Sequence, residues 1–286
     1  MINRPSTFSA LPVKLSLLSA GVFLGLFFLV PLILVFGVSL ASRGIYGGIA
    51  WIATLENYQR LLDPLVGGIF LRSIVFAGLT TLVCAVAGFP LAYCMARASR
   101  QWQLILLTLV MIPFWTNFLV RTYAWVLIFR ADGILNTVLI HLGLQEEPLP
   151  LLFTDMSVFV GLVYGYLPFM VLPLVVAIER ISPQLEEAAF DLYASIAGMF
   201  RHVLLPLSKP GFIAGGVLVF IPSLGAFITP YLLGGGQKMM LGTLIQQEFL
   251  VSRDWPFGAA LSFGLMGTVL LLWFLLGRRF YGRESV

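Results

Sequence analysis

The stretch LEEAAFDLYASIAGMFRHVLLPLSKPG, Leu185 to Gly211, sets charge and helix-forming residues between two apolar runs. Ser182-Pro183 stands just before it, and that pair suits a helix start: serine caps free amides and proline fits the first turn. Glu186 and Glu187 near this end complement the helix dipole. Leu185, Ala188 or Ala189, Leu192 and Ile196 recur at helical spacing, with Glu187 and Asp191 one turn apart beside them. Gly198 permits a bend, and Phe200, Val203 and Leu204 make a second short apolar face. Pro206 is expected to end that helix before Pro210-Gly211 opens the next run. Two readings fit such a pair of amphipathic helices. One is a solvated connector whose stripe lies on a membrane. The other is a docking element whose Ala188 and Ala189 let another surface approach closely.

Around this insert, the composition is that of a chain whose solvent is lipid. Of 286 residues, 59% are hydrophobic and 10% charged, with mean hydropathy +0.98. A soluble domain carries about a quarter charged residues, and so few here cannot cover a water-facing surface. Spanning a bilayer takes about 20 apolar residues. Leu15–Ala41, Ser73–Ala96, Gln101–Val120, Met156–Ile178 and Trp255–Gly277 meet this, while Gly211–Gln237 is long enough but broken by Pro222, Pro230 and Gly234-Gly235-Gly236. The expected fold is therefore all-α and integral to the membrane, with six transmembrane helices and the insert between the fourth and fifth.

The linear partition follows: 1–14 as a cytoplasmic N-terminal segment, 15–41 as the first span, 42–72 as a periplasmic loop, 73–277 as the transmembrane domain with the insert at 179–210, and 278–286 as a cytoplasmic tail. The first run is longer than a signal-peptide core, so an uncleaved span is expected. Arg97, Arg100, Arg180, Arg201, Lys209 and Arg278 fall on the N-terminal side of the membrane, which favours both termini and the insert being cytoplasmic. Ile134–Leu142, between the turn signals Asp132-Gly133 and Pro148, reads as a short re-entrant or interfacial helix.

Glu187-Ala188-Ala189, with Leu205-Pro206-Leu207 and Pro210-Gly211-Phe212-Ile213-Ala214-Gly215 downstream, resembles the EAA loop of permease subunits of binding-protein-dependent ABC importers. Pro113 to Trp125, Tyr166 to Pro173 and Arg253 to Gly258 resemble the spermidine/putrescine branch. The resemblance implies the type I importer fold in a bacterial inner membrane. It also implies a second homologous permease subunit, two cytoplasmic ATPase subunits, an external solute-binding protein, and lipid around the spans. ATP and Mg would be held by the ATPase subunits, and this chain would hold no cofactor. Glu187, Ala188, Ala189, Asp191, Leu192, Ser195, Gly198, Leu205 and Pro206 become the residues that couple to the ATPase. One departure stands out: the family often has glycine where this chain has Tyr193, so either Tyr193 or Gly198 sets the bend.

Candidate solute contacts come from the third run. Trp115, Phe118, Thr122, Trp125 and Phe129 recur on about one helical face, with Tyr123 beside them. Aromatic faces attract ammonium groups, although the same residues also suit an interfacial belt or helix packing. Arg121 is expected to pair with Asp132 or Asp155, or to meet a phospholipid. Glu248 and Asp254 are placed to meet incoming solute or a binding protein. Pro222 and Pro230 mark the fifth span as a pathway-lining, gating element.

Other classes fit poorly. The sequence has no phosphate-binding GxxxxGK[ST] loop, no nucleophile elbow and no cysteine–histidine cluster, so no catalytic or metal role is expected of the chain itself. Cys84 and Cys94 lie about 15 Å apart along a helix, too far for a disulfide. A net charge of +4 requires no nucleic-acid partner. Acidic residues are absent from the uncharged spans, which argues against the runner-up, an ATPase-independent secondary transporter or channel for a small cationic or amino-acid-like solute. A membrane scaffold that docks a soluble enzyme is the third reading.

Overall fold

The computed structural model describes Ser19, residues 21–236 and residues 238–281, and among them the chain is mostly helical. It packs as two compact units, one formed by residues up to 63 together with those from 247 onward, the other by residues 64–246. The expected segment 1–14 and residues 282–286 of the expected tail 278–286 lie outside the described residues, while 278–281 continue the last helix.

In the first unit, α1 (Gly21–Ser39) meets the last helix, α13 (Trp255–Tyr281), with the Phe36 and Phe263 rings edge to face at 5.3 Å. Phe23, Phe27, Phe28 and Ile33 of α1 face outward, as a lipid-solvated span requires. The end of α1 is held by Asn57, whose Nδ2 donates to the carbonyls of Ser39 (3.0 Å) and Ala41 (2.8 Å). Asn57 sits on the short helix α2 (Glu56–Arg60), which follows a small antiparallel ribbon of β1 (Ser42–Arg43) and β2 (Ile49–Ala50). The expected loop 42–72 is thus partly structured, and its last nine residues belong to the next helix.

The second unit is built on three long helices: α3 (Pro64–Arg97), α7 (Asp155–Glu179) and α10 (Lys209–Leu224). At 34 residues α3 is about 51 Å long, so it exceeds the hydrocarbon core and projects beyond it. Gly211 and Gly215 let α10 approach α7 closely: a Cβ on Gly215 would stand 3.1 Å from the Met170 Cα, and one on Gly211 would stand 3.0 Å from the Pro173 carbonyl oxygen. Small residues one turn apart permit such backbone contact in lipid, where dispersion rather than water exclusion drives association.

The third apolar run departs from expectation. It is not one span across 101–120 but two helices, α4 (Arg100–Trp115) and α5 (Phe118–Phe129), parted at Thr116-Asn117. Asn117 caps α5, its side chain accepting from the Leu119 amide at 2.8 Å. The expected interfacial helix is present as α6 (Ile134–His141), and the stretch Phe118–His141 is long and apolar enough to cross a membrane where the 16-residue α4 is not. Five described helices meet that length and composition, or six if the bent pair Ile196–Leu207 and Lys209–Leu224 counts as one span.

The fifth run is broken, as its sequence suggests, but at Gly225–Phe227 rather than at a proline; α11 (Ile228–Gly234) continues it. Just before the break, the Pro222 oxygen accepts from the Tyr166 hydroxyl at 3.1 Å. At the far end of α11, the Leu233 oxygen accepts from the Ser157 hydroxyl and the Phe153 amide, both at 2.9 Å. Next, α12 (Leu241–Leu250) is fastened at its start by the Leu241 amide donating to the Ser73 hydroxyl at 2.7 Å.

Candidate functional site

The insert forms α8 (Pro183–Asp191) and α9 (Ile196–Leu207), the latter carrying a π turn over Phe200–Leu204. Two expectations change here. Pro206 does not end the helix: the π turn pairs the Leu205 amide with the Phe200 carbonyl, the chain continues helically to Leu207, and the 67° bend falls at Ser208. The turn between α8 and α9 is set by Tyr193, at φ +58°, and not by Gly198, which lies inside α9 with its amide capped by the Ser195 hydroxyl at 3.1 Å. A tyrosine thus occupies a left-handed backbone position that normally favours glycine.

The insert has two distinct faces. Ala189, Met199 and Leu204 are buried in the same apolar core as Ala92, Met95, Leu174 and Ile178, and Phe89 of α3 meets Phe200 edge to face at 4.9 Å. Of the two expected coupling alanines, Ala189 packs inward against this core, whereas Ala188 is exposed. Glu187, Asp191, Leu205 and Pro206 are exposed too. At the turn, Leu192 is 82% exposed, Tyr193 98% and Ile196 76%, an apolar tip left uncovered among the described residues.

Beside the exposed Glu187 lies a buried carboxylate, Glu186, to which the sequence reading gave only a helix-dipole role. Glu186 accepts from the Tyr93 hydroxyl (2.7 Å) and from the Arg97 Nε (2.8 Å), and pairs with a second Arg97 nitrogen. Arg97 also donates to the Ile181 carbonyl at 3.1 Å, beyond the C-terminal end of α7, where a cation suits the helix dipole. The side chains of Arg97 and Glu186 are only 20% and 11% exposed. One ion pair thereby joins α3, α7 and α8. Next to it, Gln103 of α4 hydrogen-bonds Glu179 of α7.

The aromatic candidates do not form one surface. Trp115 ends α4 and is 77% exposed, whereas Thr122 and Phe129 on α5 are buried. Trp125 stacks on Phe129 with centroids 5.1 Å apart and meets Tyr164 of α7 at 5.4 Å, so this face packs against the bundle. Phe118 is half-buried and Tyr123 exposed on another side of α5. Arg121 pairs with neither expected acid: Asp132 is taken by Arg130, and Asp155 by Arg72 and Lys238. Its guanidinium instead lies over the Phe114 and Phe118 rings at 5.3 and 5.4 Å. Pro230 is buried while Pro222 is exposed. Asp254 is buried, pairs with Arg60 at 2.8 Å and accepts from the Phe257 amide at 3.2 Å, so it is occupied within its own unit rather than open to solute.

Residues 88–282 match the family of binding-protein-dependent transport system inner membrane components. The chain belongs to that family. It is 42% identical over 252 residues to the spermidine/putrescine transport system permease protein PotB of Haemophilus influenzae, covering 88% of each chain. To the PotB protein of Escherichia coli it is 41% identical over 256 residues, covering 88% of this chain and 93% of the relative. The fold matches a chain of a bacterial alginate ABC transporter crystallised with an alginate pentasaccharide-bound periplasmic protein, with TM-score 0.74, 16% identity and 96% and 95% of the two chains covered.

Within this inner membrane component, periodicity set Glu187 and Asp191 one turn apart beside the apolar stripe, and both are exposed. It did not flag Glu186, Tyr93 or Arg97. The available signals were the i, i+4 pair Tyr93/Arg97 at the end of an apolar run and the i, i+3 pair Glu186/Ala189 on one face of α8.

Proposed function

We propose that this chain is a permease subunit of an ATP-driven polyamine importer, for solutes of the spermidine/putrescine class, working by alternating access. The names of relatives more than 40% identical over 88% of the chain support the solute class. The termini and the insert face the cytoplasm in this reading, in keeping with the arginine and lysine distribution. The complex holds a second, homologous permease, two ATPase subunits that bind ATP and Mg, and an external solute-binding protein; the chain itself hydrolyses nothing.

The observation that carries the coupling role is the two-faced insert. Its inward face is built into the bundle core, while Leu192, Tyr193 and Ile196 stand uncovered with Glu187 and Asp191 beside them. An apolar tip flanked by two carboxylates suits a groove with an apolar floor and a basic rim, and Glu187 and Asp191 are free to accept from its donors. The test is uptake of labelled spermidine by the reconstituted complex carrying Glu187→Arg. The variant is expected to reach the membrane at wild-type level and to lose uptake. Wild-type uptake at matched expression would overturn the coupling assignment.

A further inference from the structure

The buried ion pair suggests how a push on the insert reaches the spans. Glu186 lies on the same short helix as the exposed Glu187, yet both of its oxygens are engaged from α3: Oε2 by the Tyr93 hydroxyl, Oε1 by Arg97. Arg97 is at once the last residue of α3 and a donor to the Ile181 carbonyl after α7. Charge-assisted hydrogen bonds sheltered from water hold their geometry more firmly than apolar contacts, which slide. Apolar packing against Ala189 and Met199 sets how near α8 sits, but gives no direction along which it is held.

We infer that Glu186, Arg97 and Tyr93 form a strut that makes α8 and the inner end of α3 move as one piece, so that displacement of the insert is delivered to α3. These are positioning residues, acting through the helices they join. The inference rests on the proposed coupling role of the insert, and assigns the transmitting step to the glutamate that faces inward, leaving docking to the residues that face outward.

The experiment uses the full complex in proteoliposomes with spermidine as the probe solute. It records three quantities: the ATPase subunit retained per permease, ATP hydrolysed, and spermidine taken up. For Glu186→Gln, retention should match wild type while uptake per ATP falls about tenfold, the factor set by losing one charge-assisted pair. Tyr93→Phe removes a single hydrogen bond, leaves the ion pair, and should lower the same ratio only about threefold. The exchange Glu186→Arg with Arg97→Glu restores opposite charges and should recover most of the loss seen with Arg97→Glu alone. An unchanged ratio in Glu186→Gln overturns the strut, and so does loss of the ATPase subunit in step with uptake, which would place Glu186 in docking. If Glu186→Gln fails to accumulate, Tyr93→Phe decides: a wild-type ratio there overturns the proposal. Failure of the underlying reading looks different, because the wild-type chain would then retain no ATPase subunit.

Discussion

The two ends of the bundle formed by residues 64–246 are fastened by opposite means. At the insert end, one carboxylate is buried and bonded from two neighbouring side chains, Tyr93 and Arg97. At the other end, Asp155 is half in solvent between Arg72 and Lys238, and Arg130 pairs with Asp132 in the open. There the joints that count are made with the backbone: Ser157 and Phe153 to the Leu233 carbonyl, and Ser73 to the Leu241 amide. Solvent screens an exposed ion pair to about 0–1 kcal/mol, whereas a buried one strongly resists losing a single partner. One end is thus fastened by a buried charge pair, the other by hydrogen bonds to backbone groups at helix ends.

The sharpest way to break this comparison is to cut a charge at each end. Arg97→Ala strands the Glu186 carboxylate in a site 11% exposed and should cost about 3–5 kcal/mol. Arg130→Ala, whose partner Asp132 is 73% exposed at its side chain, should change stability by less than about 1 kcal/mol. Thermal unfolding of the two variants in the same detergent measures both. Equal shifts would mean that the two ends are held alike.

How far the sequence foretells this arrangement depends on which force decides each feature. Apolar run length reports the spans because lipid selects for it, and the insert is legible as an interruption that carries charge at helical spacing. The break at Thr116-Asn117 is not, because hydrophobicity continues across it and the stop is a single capping side chain. The fifth run does end its helix at the expected Gly234–Gly236, with Gly235 at φ +62°, but the two prolines were misjudged as breaks for a related reason. Pro222 and Pro230 sit within helices, and the chain opens at Gly225 instead, where a Cβ on Gly242 would stand 2.3 Å from the Gly225 carbonyl oxygen. Periodicity marks faces of α8 but not which one is inward; that is decided by Ala92, Met95 and Arg97, some 90 residues earlier in the chain. Nor does it locate the bend, because Tyr193 has no intrinsic preference for the left-handed region.

A smaller effect tests the outward face. Tyr193 at φ +58° carries a strain of about 1–2 kcal/mol that glycine would avoid, offset by glycine's extra unfolded-state entropy of about 0.5–1 kcal/mol. Tyr193→Gly should therefore raise the stability of the isolated chain by about 0.5–1 kcal/mol. Removing a 98% exposed ring should at the same time weaken whatever covers the tip. Stability gained with ATPase retention unchanged would show that the ring is not part of the docking surface.

The smallest effect concerns a carboxylate whose surroundings are unlike those of Glu186. Glu248, on α12, belongs to the first unit, and burial pushes its carboxyl above the ordinary range; the nearby Asp254 adds to this, while a hydrogen bond with Ser252 and the charges of Arg60 and Arg43 pull the other way. The folded state thus holds a proton that the unfolded chain releases more readily. Stability from this group is fully present below the ordinary carboxylate range and is lost as pH rises through the raised value. Glu248→Gln removes the titration, so its melting temperature should exceed wild type at neutral pH and converge with it in acid. The paired Glu186 gives no comparable rise on neutralisation, since its glutamine variant loses a cation partner. If Glu248→Gln lowers the melting temperature at neutral pH, the carboxylate is instead stabilised by Arg60 and Arg43, and the contrast between the two glutamates fails.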